Sequence, residues 1–291
     1  KLVFEALRNK KHVVTANKAL IAKYGDKLSK IAEKNSVNLE FEAAVCGGVP
    51  IIRSLKEGLI ANKISKIYGI FNGTSNYILS SMDKQNKSFD EVLINAKKLG
   101  YAESNPSSDL NGDDVASKLK ILSSLCFNSF INDKIYVEGI KDIDKTDIDN
   151  ANNLKYKIKL IGFAELQNKK IYQRVHPTLI KQDSHAAGID GVLNAVIIDG
   201  KPVGQSIIQG EGAGPAATTS ALISDISSIL RGNIKFPFSI SSSKRKKLKF
   251  ENIDERFFSA YLRFEVEDRS GILSDITNIF SKNKVSIKRL V

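Results

Sequence analysis

The sequence predicts an α/β region followed by an α+β region, and two patterns of hydrophobic residues support this prediction. Residues 12–15 form a short β-branched run, residues 19–35 have helical spacing, and residues 37–44 form a second strand-like run. This strand–helix–strand order is typical of a doubly wound parallel sheet. Strand-like runs recur after a series of helices, at residues 155–163, 171–176 and 192–198. Strands that are segregated from helices in this way indicate an α+β unit with a mixed sheet.

The elements between and after these runs follow from periodicity and turn residues. Residues 64–71 alternate like a strand, and Asp199-Gly200 is a hairpin turn signal. Helical patterns begin at Pro50, a favourable first-turn position, and at Tyr77, and others cover residues 88–99, 113–125 and 216–231.

The start of the chain resembles the end of a nucleotide-binding domain rather than its beginning. No Gly-x-Gly-x-x-Gly follows a strand near the first residue, which is a lysine. We therefore expect residues 1–45 to be the remnant of a Rossmann-type NAD(P)-binding domain whose first βαβ unit is missing. The choice between NAD and NADP is made in that unit, so this sequence does not predict it.

Composition limits the classes of function. The chain has 291 residues, of which 42% are hydrophobic and 26% are charged, which is enough for more than one domain. Apolar runs are too short for a membrane-spanning helix, and two cysteines suit the reducing cytoplasm. The net charge of +12 comes from dispersed lysines. The one basic cluster, residues 244–249, lies in a serine-rich segment that reads as a solvated linker, so we expect no nucleic-acid partner.

Residues 99–118 are the most informative stretch for function. A turn-rich loop carries Glu103 and Asp109, and the helix that follows carries Asp114 and Lys118. The last two residues are four positions apart, so they project from one helical face. One interpretation of this spacing is an ordinary surface ion pair. The alternative is a site in which two acids and an amine bind a zwitterionic amino acid and move one proton.

The wider sequence resembles the homoserine dehydrogenase family from about residue 10 to about residue 232. The segment Gly-Tyr-x-Glu, x-x-Pro, x-x-Asp-Leu-x-Gly-x-Asp-x-Ala-x-Lys matches the active-site pattern of that family without a gap. Other matching segments occur in the family's order at residues 13–18, 42–52, 69–79, 174–177 and 210–214. The resemblance implies an NAD(P)-dependent oxidoreductase that interconverts L-homoserine and L-aspartate 4-semialdehyde in threonine, methionine and isoleucine biosynthesis.

The resemblance also implies roles for particular side chains. The cofactor carries the hydride, so the protein must orient the substrate and move its hydroxyl proton. Lys118 is implied as the acid/base, with a pKa lowered by burial or by a neighbouring cation, and Asp114 positions it. Lys18, at the end of a strand, faces the cofactor and is the second candidate for the proton transfer. Further implied contacts are Glu103 and Asp109 for the substrate, and Gly212 and Gly214, with Lys18, for the cofactor.

A monovalent cation is implied at the turn after residue 42. The family binds sodium or potassium there, which assigns the ligands Glu42, Val45, Gly47 and Val49. One carboxylate and several carbonyl oxygens suit such a hard cation. The alternative interpretation is a tight turn that glycine permits.

The remaining predictions concern domains and assembly. Residues 46–232 are expected to form the catalytic and dimerisation domain, residues 233–256 a linker, and residues 257–291 a partial ACT domain of βαββαβ type, with strands over 261–266 and 285–291. The resemblance implies a threonine effector at the ACT domain and a homodimer or higher homo-oligomer, with contacts near 37–50 and 206–232. Two rivals remain, a nicotinamide enzyme for another amino-acid aldehyde and a catalytically inactive amino-acid-sensing regulatory protein.

Overall fold

The computed structural model describes residues 1–131 and 135–291. The first region contains a two-stranded parallel sheet, in which Val13 pairs with Leu39. Its elements are α1 (Leu2–Arg8), β1 (Val13–Val14), α2 (Lys18–Lys34), β2 (Leu39–Glu40), a 3-10 turn (Glu42–Ala44) and α3 (Ile51–Arg53), which continues as a π-helical turn over Ser54–Gly58. The predicted strand–helix–strand order is confirmed. The second predicted strand is shorter than 37–44, because the chain turns at Glu42.

The second region is a mixed sheet in the order β4-β6-β5-β3-β7-β8. Its strands are β3 (Lys63–Ile70), β4 (Tyr136–Val137), β5 (Tyr156–Gln167), β6 (Lys170–Lys181), β7 (Leu193–Lys201), β8 (Gly204–Glu211) and β9 (Lys249–Glu251). Most pairs are antiparallel, whereas β4 and β9 run parallel to β6. The prediction of a mixed α+β sheet is confirmed.

The helices of the second region connect its strands, and one of them packs against the first region. They are α4 (Gly73–Gln85), α5 (Phe89–Lys98), α6 (Ser107–Leu110), α7 (Asp113–Cys126), α8 (Lys145–Asn153) and α9 (Pro215–Leu230). Helix α7 packs on β3, β5 and β6 and also contacts α2, so it lies between the sheet and the first region. Val115, Leu119 and Leu122 are fully buried there. Residues on α7 can therefore face both regions.

The predicted turn at Asp199-Gly200 is wrong. Both residues belong to β7, and Gly200 pairs with Ile64 on one side and Gly204 on the other. The reversal comes later, at residues 202–203, where Pro202 follows Lys201. A glycine inside a strand imitates a turn signal when only neighbouring residues are considered, and here its strand partners decide the structure.

The basic segment near residue 245 is not simply a solvated linker. The Arg245 guanidinium lies 2.8 Å from Asp26 Oδ1 and 2.9 Å from Glu33 Oε1, and its side chain is only 6% exposed. The same guanidinium lies over the Phe238 ring, 5.2 Å from its centroid. Two ion pairs of Arg245 therefore connect this segment to α2 of the first region. Sequence composition missed this because both carboxylates are more than 200 positions away.

The C-terminal segment agrees only in part with the predicted ACT domain. A helix, α10 (Ile272–Lys282), forms between the two predicted strands, as the βαββαβ order implies. Residues 261–266 and 285–291 form no strand in the described chain, contrary to prediction. A strand exists only where it has a hydrogen-bonded neighbour, and these runs pair with neither each other nor the sheet. Across the described ranges, no helix is both long and apolar enough to cross a membrane.

Candidate active site

The first turn of α7 carries a buried ion pair. Asp114 is 4% exposed, and its Oδ2 lies 2.8 Å from Lys118 Nζ. Lys118 Nζ also donates to the Phe71 carbonyl oxygen at 2.6 Å. Gly112 precedes the helix with φ of 86°, a conformation that glycine adopts without strain. The sequence pattern of i and i+4 therefore forms as predicted, but it lies inside the protein rather than on its surface.

Lys18 joins this pair from the other region. Its Nζ lies 2.8 Å from Asp114 Oδ1, and its side chain is 42% exposed. Asn17 caps α2 by accepting the Leu20 N–H at 2.9 Å, which fixes the start of the helix directly after β1. One carboxylate thus holds two amines, one from each region. Lys18 is the more accessible of the two amines.

Asn72 is a member of the cluster to which sequence reasoning gave no role. Its amide nitrogen donates to Asp109 Oδ1 at 2.8 Å and to Asp114 Oδ2 at 2.9 Å. The residue lies in the loop between β3 and α4, and it is 5% exposed. The predicted substrate residue Asp109 is thereby connected to the predicted catalytic pair. The Asn-Gly-Thr loop signal was visible in the sequence, but its distance to α7 was not.

Asp114 and Lys118 each favour the charged form of the other. Burial disfavours the ionised form of Asp114, but Lys118 and Lys18 outweigh burial and lower the pKa of Asp114 to about 2. Burial is the largest single effect on Lys118 and disfavours its ammonium form, but the negative groups around it, with Asp114 first and Asp109 among the others, together raise the pKa of Lys118. The expected lowering of the Lys118 pKa is therefore wrong for this arrangement. Opposite charges close to a buried amine can together outweigh its burial.

Glu103 is not part of this hydrogen-bonded cluster. It lies exposed on the loop before α6, and within the described ranges it makes no ion pair or side-chain hydrogen bond with the other predicted residues. The loop is anchored nearby, because Thr74 Oγ1 donates to the Tyr101 carbonyl oxygen at 2.7 Å. Glu103 therefore lies two residues after the anchored Tyr101, with its side chain exposed to solvent.

The predicted cation turn packs against the predicted cofactor segment. The Gly48 N–H donates to the Glu211 carbonyl oxygen at 2.9 Å. A Cβ placed on Gly47 would lie 2.9 Å from the Gly212 carbonyl oxygen. A Cβ on Gly212 would lie 1.0 Å from Asn194 Oδ1, whereas one on Gly214 would meet open space. A side chain at position 47 would thus meet backbone and one at position 212 would meet the buried Asn194 side chain, so both positions favour glycine.

Glu42 is buried, and both of its carboxylate oxygens accept backbone N–H groups. Ile52 donates at 2.8 Å and Arg53 at 2.7 Å, so Glu42 caps the start of α3. Burial raises the pKa of Glu42 from 4.5 to about 7. In the described part of the chain, the Val45 and Gly47 carbonyl oxygens accept no backbone hydrogen bond. These two oxygens have the chemistry that a hard cation requires. No group of three or more His, Cys, Asp or Glu side chains suited to a metal ion occurs among the described residues.

The site also fits a nicotinamide nucleotide. Parallel strands β1 and β2 end beside Lys18, and ligands of doubly wound sheets bind at that edge. Gly214, with φ of 110° and open space around it, allows a ligand to approach the backbone closely. A parallel sheet edge beside a buried lysine–aspartate pair is the arrangement expected of a nicotinamide-dependent oxidoreductase.

Comparison with known proteins specifies the family. The family model "Homoserine dehydrogenase" matches residues 50–227, and the model "Homoserine dehydrogenase, NAD binding domain" matches residues 1–42. Homoserine dehydrogenase of Neisseria gonorrhoeae is 42% identical over 296 residues, which cover 99% of this chain and 68% of that protein. The Bacillus subtilis enzyme is 38% identical, with 99% and 67% covered.

Solved structures agree. The homoserine dehydrogenase of Thiobacillus denitrificans superposes with a TM-score of 0.90 at 39% identity, over 100% of this chain and 69% of that one. A hyperthermophilic archaeal homoserine dehydrogenase in complex with NADPH has a TM-score of 0.71 at 28% identity, over 81% and 69%. The chain belongs to the homoserine dehydrogenase family. The predicted activity and the use of NAD(P) are confirmed, and nothing in these findings favours an inactive regulatory protein.

Proposed function

We propose that Lys118 is the group that moves the hydroxyl proton when homoserine and aspartate semialdehyde are interconverted. The bound nicotinamide supplies or accepts the hydride. Lys118 Nζ is held by Asp114 Oδ2 at 2.8 Å and by the Phe71 carbonyl oxygen at 2.6 Å, so its position is fixed before substrate binds. This pair of contacts is the observation that carries the proposal, because general acid catalysis depends first on geometry.

The two directions of the reaction require opposite protonation states of Lys118. In the reducing direction, the ammonium of Lys118 gives a proton to the forming alkoxide oxygen. In the oxidising direction, the neutral amine must take that proton. Because Asp114 raises the pKa of Lys118, the neutral amine is scarce near neutral pH, so homoserine oxidation should speed up as pH rises. Lys18, also bound to Asp114, orients the substrate oxygen and the cofactor in this scheme.

Glu103→Ala should raise the KM for homoserine about tenfold or more and change kcat much less. An exposed carboxylate on an anchored loop is suited to bind the α-ammonium of the substrate by a charge-assisted hydrogen bond. Initial rates measured against homoserine concentration test this assignment. A control is Glu265→Ala, which removes a carboxylate that is 89% exposed on the C-terminal segment. An unchanged KM in Glu103→Ala would remove Glu103 from the substrate site.

The turn after residue 42 is proposed to bind sodium or potassium through Glu42, Val45, Gly47 and Val49. Support comes from the Val45 and Gly47 carbonyl oxygens, which are not engaged by backbone N–H groups in the described chain. The Val49 oxygen accepts from Ile51 at 2.7 Å, and Glu42 already accepts two N–H groups. These two ligands must therefore share their lone pairs with the cation.

Exchange of the cation tests this proposal. The thermal midpoint should be about 2–4 °C higher in sodium or potassium chloride than in tetramethylammonium chloride of equal ionic strength. Glu42→Ala should abolish that difference, whereas Glu265→Ala should keep it. Equal midpoints of the unsubstituted protein in all three salts would leave only the tight-turn interpretation.

A homodimer is proposed through the exposed face of α9 and the edge strand β8. Ile223, Ile226 and Leu230 of α9 are 55%, 42% and 81% exposed, and Ile207 of β8 is 37% exposed. Residues 37–42 are buried within the chain, so the other predicted contact near 37–50 has little surface to offer. Large exposed apolar side chains and the edge strand of a sheet are both typical of an interface.

Sedimentation measures the assembly directly. The double variant Ile223→Glu/Ile226→Glu should halve the mass, because it would bury two unpaired charges at the contact. Ile94→Glu is the matched control, since Ile94 on α5 is 54% exposed and lies outside the patch. A single-chain mass for the unsubstituted protein would contradict the dimer.

Binding of threonine by residues 257–291 stays a prediction, as does their assignment to an ACT domain.

A further inference from the structure

We propose that Asn72 is a positioning residue, which holds the carboxylates of Asp109 and Asp114 at one separation beside Lys118. The Asn72 amide nitrogen lies 2.8 Å from Asp109 Oδ1 and 2.9 Å from Asp114 Oδ2. A primary amide nitrogen has two hydrogens, so it can donate to both carboxylates at once. This role rests on the proposed function of Lys118 and adds to it the group that keeps its partner in place.

The orientation of the Asn72 amide is fixed by a third contact. Its Oδ1 accepts the backbone N–H of Ser75 at 2.8 Å, which caps α4. If the amide turned over, its oxygen would face two carboxylate oxygens and its NH₂ group would face the Ser75 N–H. Both changes are unfavourable, so the helix cap determines which atom points at the acids. The start of α4 and the start of α7 are thereby joined through one buried side chain.

Asp109 depends on this amide more than Asp114 does. Asp114 has Lys18 and Lys118 as ionic partners, whereas Asp109 forms no ion pair within the described ranges. The groups facing Asp109 are Asp114 and Lys118 from α7, and Asn72 and Thr74 from the start of α4. Burial raises the pKa of Asp109, and the hydrogen bond from Asn72 opposes that rise. Without this donor, two neighbouring carboxylates would repel each other, and Asp109 would take up a proton more readily.

Two substitutions separate the donor from the helix cap. Asn72→Ser and Asn72→Asp both keep an oxygen that can accept the Ser75 N–H, and both remove the NH₂ donor. Asn72→Asp also adds a negative charge between the two acids. The matched control is Asn152→Ser, because the Asn152 amide donates to Asp83 at 2.7 Å in the same way but lies on α8.

The test uses the full-length enzyme and two readouts. Carboxyl-carbon NMR of aspartate-labelled protein should give an upward shift of the Asp109 pKa in Asn72→Ser and a larger one in Asn72→Asp. Because Asp109 must be ionised, the acid limb of kcat/KM for homoserine should move to higher pH in the same order. At its optimum pH, kcat should fall about tenfold, since misplaced catalytic groups lose rate steeply. Asn152→Ser should match the unsubstituted enzyme in both readouts.

The outcomes are distinct from those that test Lys118. An unchanged Asp109 pKa in both Asn72 variants would overturn the positioning role, whatever the rate. An upward shift with an unchanged acid limb and an unchanged kcat would also overturn it, because the separation of the carboxylates would then not matter to the reaction. If Asn72→Ser does not fold, Asn72→Asp alone decides by the same two readouts. Failure of the proposed acid/base role is seen separately, as activity retained in Lys118 variants.

Discussion

Lys118→Ala should lower kcat by about 10³-fold while the reduced nicotinamide cofactor, NADH or NADPH, binds with nearly unchanged affinity. A positioned acid/base contributes about 10²–10⁴ in rate, and Lys118 is the buried amine at this site. Lys18 remains to pair with Asp114, so the carboxylate is not left without an ionic partner. Stopped-flow or initial-rate measurements in both directions, with fluorescence titrations of NADH and NADPH, give the two quantities needed.

Lys118→Arg distinguishes proton transfer from charge. Arginine keeps a cation next to Asp114 but does not give up its proton in proteins, so this variant should lose as much rate as Lys118→Ala. Lys157→Ala serves as the control, because it breaks a lysine–aspartate contact of 3.3 Å with Asp83, which lies near the C-terminal end of α4, whereas Asn72 of the site precedes its first turn. Near-normal turnover in Lys118→Ala or Lys118→Arg would mean that another group transfers the proton, and Lys18 is the first candidate for that role.

Gly212→Ala should lower the free energy of unfolding by about 3 kcal/mol and weaken cofactor binding. The new Cβ would lie 1.0 Å from Asn194 Oδ1 and 2.1 Å from its Cγ, so Asn194 would have to move. That movement breaks the bond from Asn194 Nδ2 to the Ile70 carbonyl oxygen, 2.9 Å long and buried. Overpacking costs about 1–3 kcal/mol, and an unpaired buried carbonyl costs a similar amount. Urea unfolding measures the first effect, and titrations with NADH and NADPH measure the second.

A double-mutant cycle locates the cause of this loss. Asn194→Ala removes the atoms nearest the new Cβ, so Gly212→Ala/Asn194→Ala should be more stable than the sum of the single effects predicts. Gly188→Ala is the control, because a Cβ there meets nothing within 4 Å. Simple additivity in the cycle would mean that the clash with Asn194 is not the reason why glycine is needed.

Local sequence signals predicted most of the helices and the longer strands of the sheet. Helix α7 was predicted at 113–125 and extends over Asp113–Cys126, because its apolar and polar positions alternate with helical spacing. Strand β8 was missed, because two glycines and several polar residues hide a half-exposed edge strand. The predicted strands over 261–266 and 285–291 did not form, which sequence alone could not reveal, since strand pairing is decided by distant residues.

By itself, the sequence determined the family, most of the helices and longer strands, and the Asp114–Lys118 pair, because residues four positions apart on a helix share a face. Only the tertiary structure decided that this pair is buried and joined by Lys18 and Asn72, which are 96 and 42 positions from Asp114. It also decided the direction in which the pKa of Lys118 moves. The physical reason is that hydrogen-bonding periodicity acts over a few residues, whereas burial and electrostatic fields depend on every group that the fold brings near.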